Sequence, residues 1–400
     1  SGAVYVLKEL LGSGGEGDVY VIDDNHVAKI YHTDSLTKNR YEKLQLMVKN
    51  NPHIEKLCWP EKLLYNNHKQ FAGYIMARVP ENFKPVGRSV LKLGNPAKTV
   101  KDLAETKGMK GLDKWNRKSL VSLCRSISQV FIKLHSKNIL MGDVNINNFL
   151  VNTANTNGGD FKIVDCDSFQ VGSYPCPVGV DIFTSPEIYK RTGTDHPQFG
   201  MFLRTKEDDQ YSLASMLFHI LMFGQQPYAG KGEDTEESVA RRSYNFPYRS
   251  DFETGTDAPE GCYALIWDNT PKTVREKFVT IFKGVGTVSA EEWVNAFKEY
   301  NRQIDNKLAT DELMPRKYRE IKGRKLVNIT CSMCDQEANM FEGTYRYLSK
   351  YHAMTLCGIC LSLVPTLERR TTKVVCEKCK KEYNENLLTA LSNEWGDTRY

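Results

Sequence analysis

No run of about 18 consecutive apolar residues occurs in the 400-residue chain, so no segment is a candidate for a membrane-spanning helix. A charged start followed by an apolar stretch and a small-residue cleavage site is also missing, and a cytoplasmic location is expected. Charge of one sign is scarce: 54 Lys and Arg face 49 Asp and Glu, a formal net charge of +5. Most of that excess lies after position 300, where 17 basic residues meet 13 acidic ones. So mild a balance is not the footprint of a nucleic-acid binder, and the basic excess of the tail is expected to be a solvated surface, with contact to an acidic partner as the alternative. Paired cysteines are missing from the first 330 residues, where Cys58, Cys124, Cys166, Cys176 and Cys262 are scattered. A disulfide framework is therefore not expected. What remains is ordinary globular composition, 40% hydrophobic and 26% charged, with chain enough for two to four domains.

The first hundred residues read as short strands, Tyr5 to Leu11, Gly17 to Ile22, Val27 to Tyr31 and Phe71 to Val79, interrupted by one helical stretch from Ser35 to Lys49. From Trp115 the spacing changes. Leu120, Cys124, Ile127, Val130, Phe131 and Leu134 recur every three or four residues, the stripe of a buried amphipathic helix. Leu213, Met216, Leu217, Ile220 and Leu221 make a second stripe, and Val274, Phe278 and Ile281 a third. Strands first and helices later predict an α+β fold in two lobes. The expected divisions are a strand-rich lobe over 4–80, a helical lobe over 81–302, a charged linker over 303–326 and a cysteine-rich module over 327–400.

Four segments carry phosphate chemistry. Gly12-Ser-Gly14-Gly15-Glu-Gly17-Asp-Val19 lies between two predicted strands, and its glycines let backbone amides approach phosphate oxygens with no Cβ in the way. A strand rather than a helix follows, which argues against a dinucleotide fold. Next comes His26-Val27-Ala28-Lys29-Ile30, a lysine among apolar strand residues, with Glu42 thirteen residues on and placed to pair with it. Then Gly142-Asp143-Val-Asn145-Ile-Asn147-Asn148 follows one apolar strand and Asp165-Cys166-Asp167 another. One carboxylate can orient a hydroxyl and take its proton, while an amide oxygen and a second carboxylate can hold Mg²⁺ on phosphates.

Taken in order, these segments resemble the eukaryotic-like (Hanks-type) Ser/Thr protein kinases over about residues 4–300. The resemblance implies a bilobal protein-kinase-like fold, a strand-rich lobe with one helix and a mainly helical second lobe. It also implies ATP with Mg²⁺ (or Mn²⁺), protein substrates, and autophosphorylation. Gly12, Gly14 and Gly17 match the glycine-rich loop, Lys29 the strand lysine, and Glu42 its helix partner. Asp143 matches the catalytic aspartate; Asn148 and Asp165 match the metal-binding pair. Tyr74-Ile-Met76-Ala77-Arg78-Val79 is similar to the hinge that would bond adenine. With Gly15, Val19, Ala28 and Asn145 these complete the expected nucleotide site. Ser185-Pro186-Glu187 resembles the close of an activation segment, and Asp209-Gln-Tyr-Ser-Leu213 the start of a buried helix. The wording around Asp165 is similar to a divergent bacterial branch encoded beside tellurite-resistance-type phosphatase and von Willebrand A proteins, which are then the implied partners.

Several positions depart from the family. Met141-Gly142 stands where His-Arg is usual, so a phosphate on the activation segment would lack its customary cation. Asn145 replaces a lysine, Val180 a threonine and Phe183 a tyrosine. Asp167 replaces a glycine and adds an acidic group near the metals. Thr287-Val288-Ser289 leaves Glu187 without its usual arginine. A nucleotide-binding pseudokinase scaffold and a small-molecule kinase remain as alternatives, although the Ser-Pro-Glu and Asp-x-Tyr-Ser-Leu segments weigh against the latter.

The last seventy residues hold Cys331-x-x-Cys334, Cys357-x-x-Cys360 and Cys376-x-x-Cys379. Each pair presents two thiolates on a tight turn, and two pairs complete a tetrahedral, structural Zn²⁺ site, similar to a zinc ribbon. Any two pairs can share one zinc, and His352 or Asp335 can add a ligand to the third. Tyr345, Arg346, Tyr347 and Tyr351 form either a contact face or the core of a strand. A docking or regulatory role is expected for this β-rich module.

Overall fold

The computed structural model describes residues 3–90, 115–230, 237–251, 263–320, 323, 325–351, 353–361, 372–375 and 382–385. Five antiparallel strands build the first lobe: β1 (Leu10–Ser13), β2 (Gly17–Val21), β3 (His26–Tyr31), β4 (Lys62–Tyr65) and β5 (Phe71–Ala77), in the order β1-β2-β3-β5-β4. Helix α1 (Lys38–Lys49) starts after Thr37, whose side chain accepts the Arg40 amide, and buries Lys43, Leu44 and Met47. The first strand begins later than its apolar pattern predicts, although Lys8 and Glu9 still bond Val21 through the backbone. Strand β4, Lys62-Leu63-Leu64-Tyr65, carries no clear alternation that would predict it.

Side-chain alternation sets the two faces of this sheet. Val27, Lys29 and Tyr31 share one face of β3 and stand opposite Met76, Tyr74 and Val19 on the flanking strands. Ala28 points the other way and packs with Ile22 and Ile75. Gly73 is required where β5 crosses Lys29, because a Cβ there would stand 2.0 Å from the Lys29 carbonyl oxygen.

A three-stranded sheet links the lobes, β6 (Phe83–Pro85) pairing with β8 (Phe149–Asn152) and β8 with β9 (Phe161–Ile163), while β7 (Ile139–Leu140) pairs with β10 (Gln170–Val171). Around them lie α2 (Val86–Ser89), α3 (Arg117–His135), α4 (Pro186–Thr192), α5 (Lys206–Leu221), α6 (Glu237–Arg242), α7 (Tyr263–Asn269), α8 (Lys272–Phe282) and α9 (Ala290–Asp305). The stripe on α3 is buried throughout, and α9 lies along it. Helix α5 starts in a capping box between Thr205 and Asp208, and every residue from Asp208 to Leu221 is buried. A helix apolar or self-satisfied all round belongs at the centre of a lobe. Stacked and edge-on rings of Phe218, Phe246, Trp267, Phe278 and Phe282 fill the space between α5 and α8.

The segment after α9 is less of a free tether than its charge predicts. Leu313 and Met314 are buried in the main core, the Asp311 carbonyl accepts the Arg117 amide, and Arg117 also reaches the carbonyls of Leu221 and Leu313. Beyond it, β11 (Leu326–Thr330) and β12 (Glu337–Phe341) form a hairpin followed by α10 (Glu342–Tyr351), with a second hairpin of β13 (Thr372–Val375) and β14 (Glu382–Glu385). The aromatic run around Tyr345 and Arg346 is thus helix and not strand: Glu342 and Arg346, four apart, pair across one turn at 2.8 Å, a contact only helical spacing permits.

Candidate active site

The cleft face of the sheet, the β7–β8 turn and the β9–β10 turn converge on Lys29. Gly17 closes the glycine-rich loop against β3, where a Cβ would stand 2.4 Å from the Ile30 carbonyl oxygen, whereas Cβ atoms at Gly12 and Gly15 would meet nothing within 4 Å. These two are open to a ligand above the loop, and Gly14 bonds the Gly17 carbonyl at 3.0 Å through its amide. Val19 lies on the Lys29 face, as expected. Ala28 does not, because strand alternation turns it outward. Val27 takes that place, opposite Met76. The hinge continues through Ala77 and Val79, and the Arg78 amide donates to the Asn25 carbonyl at 2.7 Å.

Asp143 stands on the turn after β7. Asn148 donates to its Oδ2 at 3.3 Å, and its Oδ1 is buried with no hydrogen-bond partner among the described residues. Burial raises its pKa, against the opposing pull of Arg204 and Asn148. An orphaned carboxylate oxygen at the cleft is what an acceptor for a hydroxyl proton needs. The turn is held from below: Asp209 at the start of α5 accepts the Met141 and Gly142 amides at 3.2 and 2.8 Å and His135 at 2.8 Å. Asn145 spends its side-chain oxygen on the Asn147 amide at 3.0 Å, a local turn contact.

Asp165 sits in a left-handed conformation, φ 55° and ψ 36°, uncommon for a residue with a Cβ and a mark of local constraint. Its side chain is about half exposed and 3.5 Å from Lys29 Nζ. Asp165 and Asn148 together offer oxygen donors of the kind Mg²⁺ prefers.

The expected Lys29–Glu42 pair is not formed. Glu42 faces outward, 3.7 Å from Lys38 and within reach of the Tyr174 hydroxyl at 3.3 Å. Lys29 instead donates to Asp167 at 2.9 and 3.0 Å. The inward side chain of α1 is Lys43, which donates to the Ser168 carbonyl at 3.0 Å and the Pro175 carbonyl at 3.4 Å. The sequence pattern does not point to Lys43 or Tyr31 in this site, and it places Tyr74 in the hinge segment without the bond to Asp167 that the structure shows. The i, i+2 spacing of Lys29 and Tyr31 on one strand was the available signal.

The missing arginine before Asp143 has a spatial substitute. Gly142 has φ +70°, and a Cβ there would stand 2.6 Å from that of Cys176 and 2.9 Å from Arg204 Nη1. Arg204, buried, donates to the carbonyls of Cys176 and Val178 at 3.0 and 2.6 Å and stacks over Phe199. Glu187 likewise replaces its expected arginine with Lys190 at 2.7 Å and the Tyr244 hydroxyl at 2.8 Å.

In the C-terminal module the first two cysteine pairs come together. The Sγ atoms of Cys331, Cys334, Cys357 and Cys360 all lie within 4.8 Å of one another and are buried. Cys334 and Cys357 sulfurs are 3.9 Å apart, close to the about 3.8 Å that a tetrahedron of Zn–S bonds sets. Hydrogen bonds from the other three thiols pull the Cys331 thiol down, and those with Cys331 and Cys334 push Cys357 and Cys360 up. Four thiolates can share this space only with a cation between them. Asp335 is not in this group, and Cys376, Cys379 and His352 lie outside the described residues.

A strand-rich lobe with one helix, a helical lobe, and a cleft carrying Lys29, Asp143, Asn148 and Asp165 define a protein-kinase-like fold. In sequence the chain is similar to protein kinase YegI of Escherichia coli K12, 29% identical over 326 residues, 76% of this chain and 46% of that protein. It is similarly close to the protein of that name from E. coli O157:H7, 29% identical over 316 residues and covering 44% of it. The chain thus spans under half the length of these curated relatives. In structure it resembles the autoinhibited serine kinase domain of the giant muscle protein titin, with TM-score 0.51, 12% identity, 75% of this chain and 81% of that chain covered. No protein-family model matches the chain.

Proposed function

We propose that this protein is an ATP-dependent protein kinase that transfers the γ-phosphate to Ser or Thr hydroxyls of protein substrates, itself among them. The observation that carries this is the convergence of Lys29, Asp143, Asn148 and Asp165, drawn from three separate turns and strands, on one cleft beneath the glycine-rich loop. Likeness to kinases in sequence and fold supports the same reading. In the proposed reaction a substrate hydroxyl lies against Asp143, its oxygen attacks the γ-phosphorus, the bond to the β-phosphate oxygen breaks, and ADP leaves. Asp143 orients the hydroxyl and takes its proton. Lys29 lies against the α- and β-phosphates, and the amides of the glycine-rich loop cover them. Val19, Val27, Met76 and Val79 wall the adenine, whose polar edge meets the backbone near Ala77. Mg²⁺ (or Mn²⁺), held by Asn148 and Asp165, would supply charge neutralisation on the phosphates when bound.

Incubation of the purified chain with labelled ATP and general protein substrates tests this. Label transfer abolished in Asp143→Ala is expected. ATP binding without turnover would instead indicate a scaffold, and ATP consumption only with added metabolites a small-molecule kinase. The four-cysteine site we read as structural Zn²⁺ in a docking or regulatory module. A cognate phosphatase and a von Willebrand A-type protein are the proposed partners in the cytoplasm. Co-purification with phosphosite mapping checks them, and their absence from the captured proteins would remove that part.

A further inference from the structure

The close anionic partner of Lys29 lies two residues beyond Asp165 and not on helix α1. Both carboxylate oxygens of Asp167 lie within hydrogen-bond distance of Lys29 Nζ, at 3.0 and 2.9 Å. Each oxygen accepts a second bond, Oδ2 from the Tyr31 hydroxyl at 2.6 Å and Oδ1 from the Tyr74 hydroxyl at 2.9 Å. The two tyrosines come from the sheet itself: Tyr31 lies two residues along β3 from Lys29, and Tyr74 is the residue paired with Lys29 on β5. A buried charge persists only when paired and hydrogen-bonded, and three donors meet this one. The Asp167 side chain is 4% exposed against 52% for Asp165, so one carboxylate is enclosed while the other opens on the cleft. Its lone pairs taken, Asp167 is not an additional acidic group for the metals.

Helix α1 supplies no such carboxylate. Glu42 faces Lys38 and Tyr174, and Lys43 anchors the helix to the backbone of the segment after Asp167. We propose that Asp167 is the positioning residue for Lys29, so that this lysine is set by the β9–β10 turn and two sheet tyrosines and not by a carboxylate of helix α1. The inference rests on the reading above that Lys29 meets nucleotide phosphates.

Binding of MgADP and of adenosine to the full chain, measured by calorimetric titration, tests it without requiring turnover. Lys29→Met and Asp167→Asn are each expected to weaken MgADP binding about tenfold, the worth of a charged hydrogen bond, and to leave adenosine binding unchanged. A merely structural role would weaken both ligands. The Lys29→Met/Asp167→Asn double variant is expected to bind no more weakly than either single one, since residues acting through one contact are non-additive. Glu42→Gln is expected to stay within about twofold of the unaltered chain. Multiplicative losses in the double variant, unchanged MgADP binding in Asp167→Asn, or non-additivity between Lys29 and Glu42 instead would overturn the proposal. Should Asp167→Asn fail to fold, Tyr31→Phe/Tyr74→Phe keeps the charge and frees the carboxylate. A selective loss of about threefold for MgADP supports the proposal, and unaltered binding overturns it. Unchanged MgADP binding in Lys29→Met would overturn the phosphate role of Lys29 and this inference with it. That result is distinct from one in which Lys29 matters and Asp167 does not.

Discussion

Asp143 carries a titration consequence of its own. Burial raises its pKa above the ordinary aspartate value, and only the ionised form can accept a proton. Phosphotransfer is therefore expected to fall as pH drops through that raised pKa, with the acid limb of the kcat/KM profile above about pH 3.9, the unperturbed value. Asp143→Asn should lower kcat roughly 10²- to 10⁴-fold while nucleotide affinity is retained, and the acid limb should vanish from what activity remains. A limb unchanged in Asp143→Asn would assign it to another group. At the same scale, Gly17 and Gly12 separate packing from ligand approach. Gly17→Ala forces a Cβ onto the Ile30 carbonyl, backbone that cannot turn aside, and should cost about 1–3 kcal/mol in a denaturant titration. Gly12→Ala should leave stability nearly unchanged and act on nucleotide binding alone.

Helix α5 organises the second lobe, and one of its buried residues makes it acid-sensitive. His219 donates from Nδ1 to the Ser215 carbonyl at 2.9 Å and packs on Phe183. Burial pulls its pKa down to about 4, with the Ser215 bond opposing. The unfolded chain binds this proton near pH 6.5 and the folded chain only near 4, so stability is full above about 6.5 and declines as pH falls toward 4. The loss attributable to this residue is on the order of 3 kcal/mol. His219→Phe should flatten the pH dependence of thermal unfolding across that window. An unchanged slope would show that other groups set it. Arg204 works at this scale too: ahead of α5, it ties the carbonyls of Cys176 and Val178 in the segment after β10.

Across the molecule, the cysteine module is seated on the helical lobe. The Gly358 amide donates to the Arg316 carbonyl at 3.2 Å, a Cβ at Gly358 would strike Leu265 of α7, and Ile359 packs on the main core. The module's own core is small and contains the four cysteines, so metal ligation should supply much of its folding energy. Metal analysis is expected to return at least one zinc per chain. Chelation, or Cys331→Ser, should remove it and make the region after about residue 325 protease-sensitive while nucleotide binding persists. Iron, or no metal, in the purified chain would refute the assignment.

Much of this was legible from local pattern. The glycine-rich loop, the stripe on α3, the two carboxylate turns and the cysteine pairs are features of neighbouring residues, and short-range spacing governs strand alternation, helix periodicity and turn chemistry. Even the outward turn of Ala28 follows from counting by twos from Lys29. Contacts across long separations were not legible. Asp167 lies 138 residues from Lys29, Arg204 reaches Gly142 only after the chain has passed through β8, β9 and β10, and nothing in the sequence chooses which two cysteine pairs share a site. Local residue order sets the chemistry available and the elements that bear it. Which anion meets Lys29 is fixed by long-range packing, because a buried charge takes whichever partner the packing of distant strands leaves beside it.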